Sequence, residues 1–270
     1  MIETIYIARH GFRMNWINTN WKSVTGLARD PPLAVFGETQ AQELADYFLN
    51  LPEDQRPTAI FSSPYYRCLQ TAKPVSIALG VPIYVEHGLS EWYSPVTPNT
   101  GLHPRPGSAS SLHEYFPEID ADAWTSLWYP PRVGEDVAEV HARARAFLEL
   151  FIPAVERSLP RTHKRMLLLS HAATTIALAR ALLDDAALPM RAGCCSLTEV
   201  VRKPDAAVLG GWEARKVVDG AHLAQGATRD WGFEDIEIAN GQVVTDPGVP
   251  GTEGEVDDHV GAQMPLSSNL

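Results

Sequence analysis

Apolar and polar positions along this chain follow two rhythms. Ile2 to Ala8, Thr58 to Phe61, Val81 to Val85 and Arg165 to Leu169 are short apolar runs that read as buried strands. Between them, Ala41, Leu44, Ala45, Phe48 and Leu49 recur at helical spacing within Glu38 to Leu51. Tyr65 to Leu79 predicts a second helix, with Pro74 as a kink or break. Glu135 to Leu159 predicts a long third helix, interrupted near Pro153, and Ala172 to Leu183 a fourth built largely from small residues. Ser196 to Val201 and Trp212 to Val218 read as two further strands, and Arg13 to Pro32 as a loop. Strands that alternate with helices from end to end predict an α/β fold. The expected architecture is a three-layer α/β/α arrangement with a mostly parallel central sheet.

Two stretches fall outside these rhythms. Gly88 to Gly134 is rich in proline and carries Trp92, Tyr93, Tyr115, Phe116, Trp124, Trp128 and Tyr129. So many large rings argue against disorder. An ordered, aromatic insertion is expected, either a lid over a binding site or a satellite core. Asp246 to Leu270 is rich in Pro, Gly, Ser and acid, and is expected to be a disordered acidic tail behind a single domain spanning residues 1–245.

Composition narrows the function. A formal net charge of −11 disfavours direct nucleic-acid binding and makes any local cluster of arginines informative. No apolar run is long enough to span a bilayer, and no basic start resembling a signal peptide occurs, so no membrane partner is expected. Three cysteines, Cys68, Cys194 and Cys195, cannot all pair and fit a reducing, intracellular setting. No CxxC or His-rich spacing suggests a metal. Oligomerisation is left open.

The chemistry sits where strands end. Ligands of parallel α/β sheets bind outside the carboxyl ends of the strands. The first strand runs into Arg9-His10-Gly11-Phe12-Arg13, the second into Ser62-Ser63-Pro64 with Arg67 one turn further, and the fourth into Ser170-His171. The third leads through Glu86-His87-Gly88 to Glu91. Arginines offer planar, bidentate donors to phosphoryl oxygens, and an imidazole offers a nucleophilic nitrogen. His10 is therefore the expected nucleophile. Arg9, Arg13, Arg67 and a protonated His171 are expected to bind the transferring group. Glu91 is the expected acid and base, with Glu86 as a competing carboxylate. Gly11 allows the backbone to approach a ligand closely.

Arg9-His10-Gly11, the string Ser62-Ser63-Pro64-x-x-Arg67-Cys68-x-x-Thr71-Ala72, and Ser170-His171-Ala together resemble the histidine phosphatase superfamily, which includes phosphoglycerate mutases. The resemblance spans Thr4 to about Val201. It implies a phosphohistidine on His10, a phosphate pocket of Arg9, Arg67 and His171, Glu91 as proton donor, and neither metal nor organic cofactor. Phe12 and Arg13 stand where mutases usually carry an acidic and a small hydroxyl residue, which disfavours a mutase. Arg13, and Glu91 followed by Trp92, look like the branch of Sts-type and ecdysteroid-phosphate phosphatases. Asn15-Trp16, Tyr66-Arg67-Cys68, Glu91-Trp92-Tyr93 and Gly193-Cys194-Cys195 are similar to the phosphatase-domain subunit of fungal transcription factor IIIC and its stand-alone relatives. The resemblance implies a phosphomonoesterase acting on aryl phosphates or phosphotyrosine-like groups, carried by a small molecule or a phosphoprotein, in the cytoplasm or the nucleus. The alternative it permits is a phosphatase-fold scaffold in a transcription complex.

Overall fold

In the computed structural model, which describes residues 1–159, 163–239 and 242–257, the α/β expectation is met. Strands β1 (Thr4–Arg9), β2 (Ala59–Ser62), β3 (Ile83–Val85) and β4 (Arg165–Ser170) join β5 (Leu197–Arg202) and β6 (Trp212–Asp219) in one sheet. Its order is β3-β2-β4-β1-β5-β6. The first four strands are mutually parallel, and β5 runs antiparallel to both of its neighbours.

Side chains alternate across this sheet and divide the core in two. Ile5, Ile7, Phe61, Met166 and Leu168 pack against α4 (Val137–Ser158) and α5 (Ala172–Leu183). Tyr6, Ala8, Ile60, Leu167 and Leu169 pack on the other face against α1 (Val35–Asn50) and α2 (Tyr66–Leu79). The proline expectations are corrected in one respect. Both α2 and α4 continue through Pro74 and Pro153, because buried residues on either side hold the helix across the lost hydrogen bond. Helix α4 starts in a reciprocal capping box, Asp136 accepting from Glu139 N–H while the Glu139 carboxylate accepts from Asp136 N–H.

The aromatic insertion is ordered, and its rings are divided between core and site. Trp124 and Trp128 are buried in the α4-side core, Trp124 edge-on to Phe61 and Phe151. Phe116 and Ile119 enter the α2-side core beside a short helix, α3 (Ala109–His113), that periodicity does not reveal. The insertion is pinned by Glu86, which turns out to be an anchor rather than a competitor for the chemistry. Fully buried, it accepts N–H groups from Gly88 (2.9 Å), Leu127 (3.0 Å), Trp128 (3.3 Å) and the Trp124 indole (3.0 Å). Burial pushes its carboxyl up to about 7, against these four donors. Glu86→Gln places an NH2 group among donors, so we expect a loss of about 2 kcal/mol or more in urea unfolding. An unchanged midpoint contradicts the anchoring role.

The expectation of a disordered tail from residue 246 is corrected for residues 246–257. Asp246 bridges to Val96, and Val249 to Leu102. The Asp246 carboxylate pairs with Arg29 at 2.7 Å, Glu255 pairs with Arg132, and Asp257 accepts from Arg105 and from Arg132 N–H. Residues 258–270 lie outside those described. A two-stranded ribbon, β7 (Ile238–Ala239) and β8 (Gln242–Val243), precedes this strap.

Candidate active site

Parallel register brings the predicted residues to one edge. Arg9 stands opposite Ser170 at the ends of β1 and β4, and His10 N–H donates to the Ser170 carbonyl. His10 and His171 thereby meet with ring centroids 5.4 Å apart. Ser63 leaves β2 beside them, and α2 then presents Arg67 from its first turn. The third strand end reaches the same place by a short turn over His87 to Leu89, and Glu91 follows. Gly11 is required by packing. A Cβ there lies 2.6 Å from the carbonyl oxygen of Gly37 on α1, which no side chain tolerates.

All six predicted residues converge. One donor atom each from His10, Glu91 and His171 lie within 4.8 Å of one another. Arg67, fully buried, is the hub. Its Nη1 pairs with Asp30 at 2.9 Å, and its Nη2 with Glu91 at 3.2 Å and with His171 Nδ1 at 3.1 Å. Burial opposes its charge, but Asp30 and Glu91 outweigh that and hold it protonated. Arg9 is fixed through Nη1 to the carbonyls of Ala192 (2.7 Å) and Arg229 (2.5 Å). Arg13 lies with its guanidinium 4.3 Å from the Trp16 ring, and burial, then the Arg67 and Arg9 charges, lower its pKa to about 10 against the opposing pull of Glu91. Among the described residues, the Nε of Arg9, Arg13 and Arg67 are each buried without a hydrogen-bond acceptor. Three orphaned donors around one imidazole make a cradle for an oxyanion. The same charges make the His10, Glu91 and His171 cluster a poor cation site.

His10 has one ring nitrogen left free. Its Nδ1 lies 2.7 Å from the Gly11 carbonyl, which only accepts, so Nδ1 carries the proton and Nε2 the lone pair. Burial, then Arg67, Arg9, His171 and Arg13, hold its pKa well below the imidazole range. The expectation of a protonated His171 is corrected for the unliganded site. Burial first, with Arg67 and Arg13, lowers it to about 4 despite Glu91 at 3.3 Å. A bound phosphate adds negative charge and reverses that balance. Ser63 Oγ, 2.8 Å from Nε2, fixes the ring. Glu91 is pushed up by burial, yet His171, Arg67 and Arg13 hold it below the usual carboxylate range. Cys68, whose thiol burial raises, contacts the same ring with Sγ 3.5 Å from Nε2.

These charge states predict a pH profile. The free site holds neutral imidazoles and an ionised Glu91, so it has no proton of its own for a leaving group. A phosphomonoester monoanion brings a proton of its own, which is lost above the second phosphate pKa of about 6. We expect kcat/KM for a phosphomonoester to fall as pH rises through that value, with no fall on the acid side near 6.5 from His10. A rate that climbs between about pH 7 and 9 contradicts these assignments.

Several site residues carry no periodic signal. Asp30 comes from the first loop and is held by Arg67 and by Tyr66 N–H. Trp231 reaches the site from far along the chain by pairing with Ala192. With Trp92, Tyr93, Ala172, Ala173, Arg9, Arg13 and Glu91 it lines a cavity of about 240 Å³. A larger groove of about 640 Å³ between α1 and α2 contains none of the site residues.

Known proteins are similar to this chain. The family model described as Histidine phosphatase superfamily (branch 1) matches residues 5–215. The chain is 39% identical over 216 residues to the transcription factor tau 55 kDa subunit of Saccharomyces cerevisiae, a match covering 75% of the chain and 48% of that protein. The chain thus spans about half the length of this curated relative. Among solved structures it is similar to the ecdysone phosphate phosphatase of Bombyx mori bound to tungstate, with a TM-score of 0.61 and 18% identity over 80% of this chain and 93% of that one. It is also similar to a mycobacterial glucosyl-3-phosphoglycerate phosphatase bound to inorganic phosphate, with a TM-score of 0.51 and 20% identity over 82% of this chain and 100% of that one. At such identities these structures speak for the fold. The family match covers most of the chain and both of its strand-end histidines, and the chain belongs to the histidine phosphatase superfamily.

Proposed function

We propose that the chain is a phosphomonoesterase that takes the phosphoryl group of an aryl phosphate onto His10 and then passes it to water. The observation that carries this reading is the His10 Nε2 lone pair set among three guanidinium groups whose Nε atoms lack acceptors. His10 Nε2 attacks phosphorus as the ester P–O bond breaks. Arg9, Arg13 and Arg67 hold the three equatorial oxygens, whose charge changes most in the transition state. Glu91 relays the incoming proton to the leaving oxygen and then removes one from the attacking water. Every step is assigned to side chains of this chain, and turnover is expected to survive chelator.

The walls favour an aromatic leaving group. Trp92, Tyr93 and Trp231 supply flat apolar surface beside the cradle, which suits a phenyl ring better than a sugar. The test compares p-nitrophenyl phosphate with 3-phosphoglycerate and fructose bisphosphate at one pH, with and without EDTA. The aryl ester is expected to lead by about 100-fold in kcat/KM, a difference of about 2.7 kcal/mol. Faster turnover of phosphoglycerate rejects the aryl reading.

A second reading rests on the 39% identity to a protein named as a transcription factor subunit. The domain then serves as a binding or scaffold part of a transcription complex, which places it in the nucleus. The intact cradle favours catalysis, because a scaffold has no need of three orphaned guanidinium donors around an imidazole. Absence of turnover with every phosphomonoester shifts the assignment to the scaffold.

A further inference from the structure

A fourth arginine stands beside the site, outside the machinery described above. Arg229 is exposed, and its guanidinium lies 5.4 Å from the Trp16 ring and 5.7 Å from the Phe12 ring. Arg13 and Arg9 lie against the same indole, so three cations share one aromatic platform. Cations against an indole gain from the ring quadrupole, but two side by side repel each other. Among the described residues Arg229 forms no ion pair. The neighbouring acids Asp230, Glu234 and Asp235 all pair with Arg191, which offsets one of their three charges.

The backbone holds Arg229 there at a cost. Its φ of 54° lies in the left-handed region that a branched or long side chain rarely adopts. The same residue's carbonyl accepts from Arg9 Nη1, so the turn that aims Arg229 outward also fixes Arg9 in the cradle. Strain of this kind points to a used position. In a chain of net charge −11, three guanidinium groups around one indole depart from the overall charge balance.

Resting on the aryl-phosphate reading above, we infer that Arg229, with Arg13 and the Trp16 indole, forms an acid-selecting rim. The substrate it fits is a phosphopeptide whose phosphorylated aromatic residue has acidic side chains close by in sequence. The phosphoaryl group enters the cavity lined by Trp92, Tyr93 and Trp231, and a flanking carboxylate meets Arg229 beside it.

The test uses two synthetic phosphotyrosyl peptides that differ only in flanking Glu against flanking Lys, and p-nitrophenyl phosphate as the flank-free reference. For the wild type at low salt, kcat/KM for the acidic peptide is expected to exceed that for the basic one by about fivefold, and the gap to shrink with added salt. Arg229→Glu is expected to reverse the order, and Arg229→Ala to bring the two peptides together. Binding of both peptides to the His10→Ala protein, followed by fluorescence anisotropy, reads the rim without requiring turnover. If no ester is hydrolysed, the phosphatase reading fails while the binding arm still decides the rim. Equal handling of the two peptides by the wild-type rim, or a preference that Arg229→Glu leaves intact, overturns the inference.

Discussion

His10→Ala is expected to lower turnover of p-nitrophenyl phosphate by about 10⁴-fold or more, with the fold intact. The imidazole makes its one side-chain hydrogen bond to the neighbouring Gly11 carbonyl, so its removal unties nothing distant. What it removes is the group that divides one difficult displacement into two easier ones. Arginines and the helix-borne Arg67 still bind the phosphate, so KM or inhibitor affinity for inorganic phosphate is expected to change much less than kcat. A His10→Ala protein that keeps wild-type kcat removes the nucleophile from this site. Far-ultraviolet circular dichroism and unfolding midpoints separate a loss of chemistry from a loss of structure.

Arg67→Met is expected to damage both stability and rate. Its guanidinium is fully buried and joins Asp30, itself 1% exposed, to Glu91 and His171. Breaking one side of a buried pair costs about 3 to 5 kcal/mol, because the remaining carboxylate keeps its desolvation penalty without compensation. Asp30 is already pushed up by burial and is held down by Arg67, so in the variant it takes a proton instead. The rate is expected to fall about 10² to 10³-fold, the usual effect of losing one donor to a transition-state oxyanion. Arg67→Lys keeps the charge but loses the fork, so it restores part of the stability and little of the rate. Unfolding midpoints within error of wild type for Arg67→Met contradict its role as the hub.

The layered sheet and its four chemical strand ends were legible because each signal is local. A short apolar run predicts a strand, and the residue directly after it inherits the strand's position. Arg9-His10, Ser63 and Ser170-His171 are of this kind. Glu91 was harder to read, since Glu86 lies closer to the end of β3. The structure separates them by partners: Glu86 faces four N–H donors of the insertion, whereas Glu91 faces Arg67 and His171.

What periodicity missed is held by other forces. Asp30 sits in a loop and is placed by an ion pair, which has no sequence period. Trp231 arrives from late in the chain through an isolated backbone pairing with Ala192, and Arg229 through its carbonyl, which accepts from Arg9 Nη1. The strap over 246–257 looks disordered by composition, yet short bridges and ion pairs order it. That strap also bears on the site. Asp246 holds Arg29, whose neighbour Asp30 holds Arg67. The neutral state of His171 in the unliganded site escapes the sequence for a different reason. Sequence shows a histidine among charges but not the burial that pushes its pKa down.

The most direct test of the account is to find the phosphoryl group on His10. The protein is mixed with an aryl phosphate, quenched in alkali within the first turnover, digested and examined by mass spectrometry, alkali being chosen because phosphohistidine is acid-labile. The account predicts one phosphorylated peptide, carrying the group on His10, formed as fast as the aryl alcohol is released and absent from the His10→Ala protein. Release of aryl alcohol with no phosphoryl on the protein, or with the group on any residue other than His10, contradicts it.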